Sequence, residues 1–446
     1  MRRILSPRSR HVALTPGIVA PYFPARLAAC STTPYVAPIP QRIHYWWMIG
    51  CVTVATGFVV SRPKSSEEFI ETQTVVIIGA GIAGLKVAEA LGDNPFFRVI
   101  VLDRQENFTY QPLLPQVVSG VLSPAQITFP LDELLSFSNT TFLPIAVASI
   151  NLQGKTVTLQ NGEIVDWTTL VVAPGSSTHY FGHPEWEKIA PGLKTLQDAD
   201  IIRRKIEHAT GAVTVVGAGP TGIAIAQHAA NTGKEVVLID AANRILPSCP
   251  SGVSERAHAQ LKKLGVGVVT DAMVTAVTST EVVTSKGRFT SDCTIWAPGV
   301  TSGEIVKPLF DHNALDRGRV KVGLDLNIEH HDHVFVIGDA AAAGSPTAAV
   351  ASQQATYIAG RIGNGTINPG AFAFRQWGFL VGVGANYAVG VIAGYEVSGM
   401  FPCMIKNGVE CWNLPGPRGN KFGVFAALSK AMITQNKSKS KSLTPR

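Results

Sequence analysis

No aspartate or glutamate occurs before Glu67, although Arg2, Arg3, Arg8, Arg10, Arg26, Arg42, Arg62 and Lys64 all fall in that stretch. The whole chain has 38 Lys and Arg against 31 Asp and Glu, a formal net charge of +7. Without those eight leader residues, 30 basic residues face 31 acidic ones, a net of −1. No basic surplus is left in the body, which argues against nucleic-acid binding. Cysteine is also scarce: Cys30, Cys51, Cys249, Cys293, Cys403 and Cys411 contain no Cys-x-x-Cys pair. That excludes a disulfide framework or zinc ribbon as an expectation and leaves reduced or inert thiols. His330, His331, Asp332 and His333 crowd together, but nothing else has metal-ligand spacing, so no metal site is expected. The chain also lacks a series of long apolar segments. Tyr45–Val60 has 16 residues, short of the roughly 20 that a spanning helix needs.

Residues 1–42 are rich in Arg, Pro, Ala and small hydroxyl residues, the composition of an organellar transit peptide. Mitochondrial targeting is the simplest reading; a plastid leader would look the same, and a basic tail without a targeting role is the alternative. Residues 43–71 form an apolar stretch and a polar linker. Tyr45, Trp46 and Trp47 with flanking cations read either as an N-terminal membrane anchor or as part of the presequence.

From residue 72 the pattern changes. The run Thr74–Ile78 enters Gly79-Ala80-Gly81-Ile82-Ala83-Gly84, and a helical run, Leu85–Leu91, follows. A second apolar run, Val99–Leu102, ends on Asp103, 19 residues past Gly84. Strand, glycine turn, helix, strand and acid in this order form a dinucleotide-binding fingerprint. The glycines allow a tight turn, close approach to a pyrophosphate and close helix packing. The acid is placed to accept ribose hydroxyls. The next block, Asn107–Gln116, is too rich in proline for a regular element and too apolar for a free loop, so it is expected to cover something. Strands are predicted at Lys155–Gln160 and Thr168–Ala173, and an amphipathic helix at Leu196–Ala209.

The fingerprint then recurs 138 residues on. Val213–Val216 leads into Gly217-Ala218-Gly219-Pro220-Thr221-Gly222, a helix (Ile223–Asn231), and a strand (Val236–Ile239) ending on Asp240. This is duplication at the scale of a domain. A carboxylate at Asp240 suits a free 2′-hydroxyl and would repel a 2′-phosphate, which favours NADH over NADPH. A third block, Val334–Ile337, ends in Gly338-Asp339. Two nucleotide folds followed by a strand and Gly-Asp is the order of flavoproteins in which the chain returns to its first domain. One site then holds FAD and the other a nicotinamide, and hydride passes between stacked rings without a protein base.

On these residues the chain resembles the type II NADH dehydrogenases over roughly 72–400. Further markers are Gln111-Pro112-Leu113-Leu114, Ser119-Gly120, Tyr180-Phe181-Gly182, Gly192-Leu193-Lys194, Asp198-Ala199 and Arg244-Ile245-Leu246-Pro247. Gly318-Arg319-Val320, Ala351-Ser352-Gln353-Gln354, and Phe372 and Phe374 before Gly378 complete the set. The resemblance implies an α/β fold of two Rossmann-like domains, the second inserted in the first, and a small C-terminal membrane-facing domain. The implied boundaries are 72–195 and 303–370 for FAD, 196–302 for NADH, 371–434 for membrane association and 435–446 for a basic tail.

It further implies FAD contacts at Gly79, Ala80, Gly81, Gly84, Asp103, Arg104, Gly175, Gly338 and Asp339. NADH contacts would fall at Gly217, Gly219, Pro220, Thr221, Gly222, Asp240 and Gly299, with Gln353 and Gln354 on the quinone side. The implied reaction carries a hydride from NADH to FAD and two electrons to a quinone, without proton pumping, at the inner mitochondrial membrane; a homodimer is compatible with it.

Three departures stand out. Ala224 replaces the family's usual glutamate, Ala349 the first of two glutamines, and Pro174 a usual threonine or valine. Past Gly399, Pro402, Pro415 and Pro417 are expected to break the C-terminal helix, leaving Lys421–Ile433. Its face Phe422, Phe425, Leu428 and Met432 is read either as lying on a membrane or as packed. Two other readings stay open: a slow NADH-binding flavoprotein with a signalling role, like the apoptosis-inducing factors, and a sulfide:quinone oxidoreductase, which the absence of cysteine between 51 and 249 disfavours.

Overall fold

The computed structural model describes residues 72–302, 306, 315–316, 318–363, 370–416 and 418–441. The leader and apolar stretch read over 1–71 lie outside them. Two parallel sheets form the centre. The first runs Asn327–Ile328, His331–Val336, Thr169–Val172, Gln73–Ile78, Phe97–Leu102, Thr140–Leu143, parallel except at its Asn327 edge. The second runs Val266–Val269, Val236–Ile239, Val213–Val216, Cys293–Trp296, parallel throughout. The second sheet lies in sequence between Thr169–Val172 and His331–Val336 of the first. It is therefore an insertion, as the order of the motifs implied.

Alternation along the strands sends side chains to two faces. Val75, Ile77, Val99, Val101 and Val171 enter one buried cluster, and Val76, Ile78, Ile100, Leu102, Leu170 and Val172 another. Both faces are covered, which is why these strands are nearly all apolar. The helices start earlier than their apolar runs suggest, at Ile82 and Pro220 directly after the second glycine of each motif. The predicted helix at Leu196–Ala209 is found at Leu196–His208, with Thr195 and Asp198 forming a reciprocal cap.

The duplication is fuller than the glycine motifs reveal. Each unit inserts a three-stranded antiparallel meander before its last parallel strand: Val147–Asp166 in the first, Val274–Thr290 in the second. Each last strand then ends in Ala-Pro-Gly, at Ala173–Gly175 and at Ala297–Gly299. Beyond these, Ser176–Thr178 and Val300–Ser302 pair as an antiparallel ribbon.

Several expectations are corrected. Asn107–Gln116 is not irregular; it holds a short strand (Asn107–Thr109), a 3₁₀ turn (Gln111–Leu113) and the start of the helix Leu114–Val118. Its prolines sit in first turns, where a missing N–H costs nothing. His331 and His333 belong to the strand His331–Val336 and not to a loop, and no metal-binding cluster occurs among the described residues.

The C-terminal region is a meander, Gly378–Gly382, Ala388–Ile392 and Tyr395–Gly399, followed by two helices, Met400–Trp412 and Arg418–Lys441. Pro402 does not break the first helix because it is the third residue, where the backbone N–H has no intrahelical partner anyway. The second helix continues past 434 into the expected tail, because no Gly or Pro interrupts Thr434–Lys441. Its expected face is split: Leu428 and Met432 are buried, whereas Phe422 is 75% exposed.

Gly84 shows how tight the helix-to-strand packing is. A Cβ there would lie 1.8 Å from the carbonyl oxygen of Gly79. Gly84→Ala is expected to destabilise the protein by about 1–3 kcal/mol and to lower the melting temperature in a thermal shift assay.

Candidate functional site

At the carboxyl end of Gln73–Ile78 the backbone turns at Gly79, whose φ of +96° disfavours any side chain. A Cβ on Gly79 would meet the carbonyl oxygen of Ala173 at 2.3 Å and Cα of Pro174 at 3.0 Å. Gly217 repeats this, with φ +98° and Ala297 and Pro298 within 2.5 Å of the added carbon. The proline at 174 is thus part of a repeated crossing, matched by Pro298. Gly81 and Gly219, in contrast, face open space. Each is the N-cap of its helix without a side-chain cap, so the first-turn N–H groups are left for an anion.

The acids behave alike too. Asp103 accepts from Ala80 N at 2.7 Å with one oxygen and from Gln105 N at 2.9 Å with the other. Asp240 accepts from Ala218 N at 2.5 Å and Ala242 N at 2.8 Å in the same pattern. A carboxylate offers about four lone-pair sites, so each acid is held in place and still able to take ribose hydroxyls. Two uncapped helix ends, two cradles without Cβ and two oriented carboxylates fit two dinucleotides.

A cavity of about 1850 Å³ takes in the first set of these parts and reaches the second helix at Pro220 and Thr221. Gly79, Ala80, Gly81, Asp103, Arg104, Gly175, Gly338 and Asp339 all line it. Gly84 does not; its role is packing. Of the second set, Pro220 and Thr221 line it, whereas Gly217, Gly219, Gly222, Asp240 and Gly299 lie off this wall. Gly222 repeats the Gly84 contact, since a Cβ there would lie 1.8 Å from the carbonyl oxygen of Gly217. Gly299 is near Phe181 instead: an added Cβ would lie 3.7 Å from the tip of that ring. Phe181 has φ +51° and is 56% exposed, while its neighbour Tyr180 stacks on Trp296 at 5.9 Å. Tyr180 donates to Ala190 O at 3.1 Å, and burial pushes its hydroxyl up to about 12, so it stays a donor.

The Gly338-Asp339 turn is held by groups to which the motifs assign no role. Ser176 donates to the Asp339 carboxylate at 2.7 Å, and Lys194 donates to Ser176 Oγ at 2.7 Å. Burial lowers the Lys194 pKa, and the Asp339 charge 3.9 Å away opposes that shift. Arg319 donates from Nε to the Asp339 carbonyl at 2.9 Å, and to the Gly344 and Ala341 carbonyls from its other nitrogens. Ser176 directly follows Gly175, and Lys194 and Arg319 sit inside two of the quoted markers. Those positions were the available signal.

Neither of the two glutamines expected on the quinone side lines the cavity. Gln354 is fully buried, accepts from Gly338 N at 2.7 Å and donates to Ala343 O at 2.8 Å. It is a support for the Gly338 turn. Gln353 exchanges two hydrogen bonds with the backbone of Arg375, at 2.9 and 3.0 Å. On that helix, Ala348 and Ala351 face the cavity instead. At the far end the wall is made by Leu380, Val381, Cys403, Lys406, Asn407, Glu410, Leu428 and Ala431. Lys406 and Glu410 form a 2.7 Å ion pair, with side chains 15% and 14% exposed. No sequence motif singles out either residue.

Residues 73–355 match the pyridine nucleotide-disulphide oxidoreductase family. Over 380 residues the chain is 32% identical to a Mycobacterium tuberculosis protein named type II NADH:quinone oxidoreductase Ndh, covering 74% of this chain and 82% of that one. This chain belongs to the type II NADH:quinone oxidoreductase family. The fold agrees with the solved structure of NDH2 from Plasmodium falciparum in complex with NADH, at TM-score 0.72 and 18% identity, over 80% of this chain and 98% of that one. It also resembles the sulfide:quinone oxidoreductase of Aquifex aeolicus, at TM-score 0.64 and 19% identity, over 76% and 90%. Against the family pattern, Ala349 is exposed and off the cavity wall, whereas Ala224 lies on it. Only the loss at 224 alters the cavity.

Replacing Gln354 by Leu leaves Gly338 N–H buried and unpartnered, a cost of about 1–3 kcal/mol. Lower flavin content per chain after gel filtration is expected, read from absorbance, with Gln353→Ala retaining its flavin.

Proposed function

We infer that the protein transfers a hydride from NADH to FAD and passes two electrons on to a quinone, without moving protons across a membrane. The observation that carries this reading is the single cavity that runs from the first glycine turn, past Ala224, to the Lys406–Glu410 end. Bound FAD would supply the two-electron centre. The residues supply orientation. The first helix N-terminus and Asp103 would hold the flavin's dinucleotide part, and Asp339, set by Ser176, Lys194 and Arg319, would hold it from the Gly338 turn. The second helix N-terminus and Asp240 would hold NADH, with Ala224 farther along that helix on the cavity wall. Leu380, Val381, Leu428 and Ala431 give the far end an apolar wall suited to a quinone ring, and the Lys406–Glu410 pair gives it polarity.

The sulfide reading is weakened further, since a sulfur relay needs a pair of reactive thiols. Among the described residues only Cys403 lines the cavity, and burial pushes its thiol up to about 11, away from the thiolate. The slow signalling reading rests on Ala224. Flavin reduction by NADH that is complete within seconds in rapid mixing excludes it.

Purified protein is expected to oxidise NADH with a short-chain quinone; retained FAD without that activity overturns the reading. Asp240→Ala should raise the KM for NADH about tenfold, equivalent to losing roughly 1.4 kcal/mol of binding, and should narrow the preference over NADPH. An unchanged preference would take Asp240 off the ribose.

We further propose peripheral attachment through the C-terminal helices. No helix among the described residues is long and apolar enough to cross a membrane. Yet Met400, Phe401, Met404, Trp412 and Phe422 are 47–82% exposed on or beside adjoining helices, more apolar surface than solvent contact favours. The acid-free leader supports a mitochondrial location, with a plastid as the alternative. Replacing Phe401 and Trp412 together by Asp should abolish co-sedimentation with liposomes while flavin content stays normal; undiminished binding would move the attachment elsewhere.

A further inference from the structure

We propose that His228 is a proton relay for quinone reduction, on the cavity wall one helical turn beyond Ala224. The inference rests on the proposed quinone reduction. His228 and Ala224 both line the cavity and, four residues apart on Pro220–Asn231, share one helix face. The Nε2 atom of His228 is buried and has no protein partner. On the adjoining helix Leu114–Val118, Gln116 Oε1 is also buried and unpartnered, and Gln116 lines the same cavity. With Glu410 Oε2 at the far end also unpartnered, three polar atoms left open along the cavity mark a place built for polar traffic, since such groups are costly to leave unmet. The helix carrying His228 also touches the strand Gly378–Gly382, whose Leu380 and Val381 form the apolar end.

The stoichiometry calls for such a group. NADH delivers a hydride, which is two electrons and one proton, whereas a quinol gains two electrons and two protons. The second proton comes from solvent. In the relay, Nε2 takes a proton from water and releases it toward the reduced quinone oxygen, so that its N–H bond breaks as an O–H bond forms. No electrons pass through the imidazole, and the ring returns neutral. A carboxylate introduced at position 224, one turn away on the same helix face, could hold the same proton at the cavity.

The charged groups around His228 are few. Glu207, on the helix Leu196–His208, is the charged group that acts on the ring, and Lys205 of the same helix lines the same cavity. The other elements packed on its helix, Leu114–Val118, Val213–Val216, Val236–Ile239, Val266–Val269 and Gly378–Gly382, bring no ionisable side chain. Burial lowers the His228 pKa below its ordinary 6.5, opposed by Glu207. The ring is therefore mainly neutral at pH 7, and its protonated form gains as pH falls.

The test separates the two half-reactions by stopped flow. In the holoenzyme, reoxidation of reduced flavin by a short-chain quinone should quicken as pH falls below 6.5. His228→Ala should lose that limb and slow about tenfold or more, while NADH-driven flavin reduction keeps its rate. Ala224→Glu added to that variant should restore the reoxidation, and His228→Asn, closer in shape, should behave like the alanine variant. A readout apart from turnover is the nitrogen resonance of His228 in holoenzyme labelled with ¹⁵N-histidine, identified by its loss in His228→Asn. It should titrate below 6.5 and shift on adding the quinone. A retained pH limb in both variants, or a resonance indifferent to quinone, overturns the relay and leaves the proposed function standing. A wild-type protein that reduces no quinone overturns both.

Discussion

Both nucleotide sites depend on a backbone crossing at which no side chain fits. A Cβ on Gly79 would lie 2.3 Å from the carbonyl oxygen of Ala173, and Gly217 repeats the contact with Ala297. The crossing brings the end of the fourth parallel strand over the glycine turn, which aims the following helix N-terminus into the site. It also sets the middle residue of each Gly-x-Gly to donate its N–H to the acid ending the neighbouring strand. One steric constraint therefore places the uncapped helix end, the open cradle and the oriented carboxylate together. A side chain at the crossing would disturb all three.

Duplication produces two copies of this device, and the later chain makes them differ. The first copy is completed by Gly338-Asp339, which Gln354, Arg319 and the Ser176–Lys194 pair hold in place from four separate segments. Among the described residues the second copy receives no Gly-Asp turn of this kind; the later chain meets it through the C-terminal meander, which packs on its helices and pairs Glu396 with Arg256. A nucleotide closed in on many sides and one left more open suit a resident flavin and an exchanging nicotinamide. The C-terminal meander and helices then extend the wall of the first site with apolar side chains and one largely buried ion pair. Such a pair is expensive to desolvate, so its retention on a cavity wall points to use there more than to stability.

Much of this was legible along the chain because the signals are local. Strand, glycine turn, helix and acid lie within about thirty residues in the dinucleotide fold, and each is imposed by backbone sterics or strand periodicity. The Gln353–Gln354 pair shows the limit. A resemblance assigns both to the quinone, but which side of a helix faces a cavity depends on what packs against the other side. Here Gln354 turns inward to Gly338, Gln353 turns to Arg375, and Ala348 and Ala351 on the same helix face the cavity.

The amino-acid sequence by itself determined the two nucleotide folds, the insertion of one in the other and the acids that end their second strands, because Gly, β-branched runs and Asp at fixed offsets act through contacts a few residues apart. Pro402 marks the boundary of that reasoning: the residue type forecasts a break, yet its position in a first turn, known only once the preceding strand is placed, removes the cost. Only the tertiary structure decided that Lys194, Ser176, Arg319, Gln354 and His228 belong to the site. Each reaches it across long stretches of chain through packing partners, and no local pattern encodes which partners the folded core will supply.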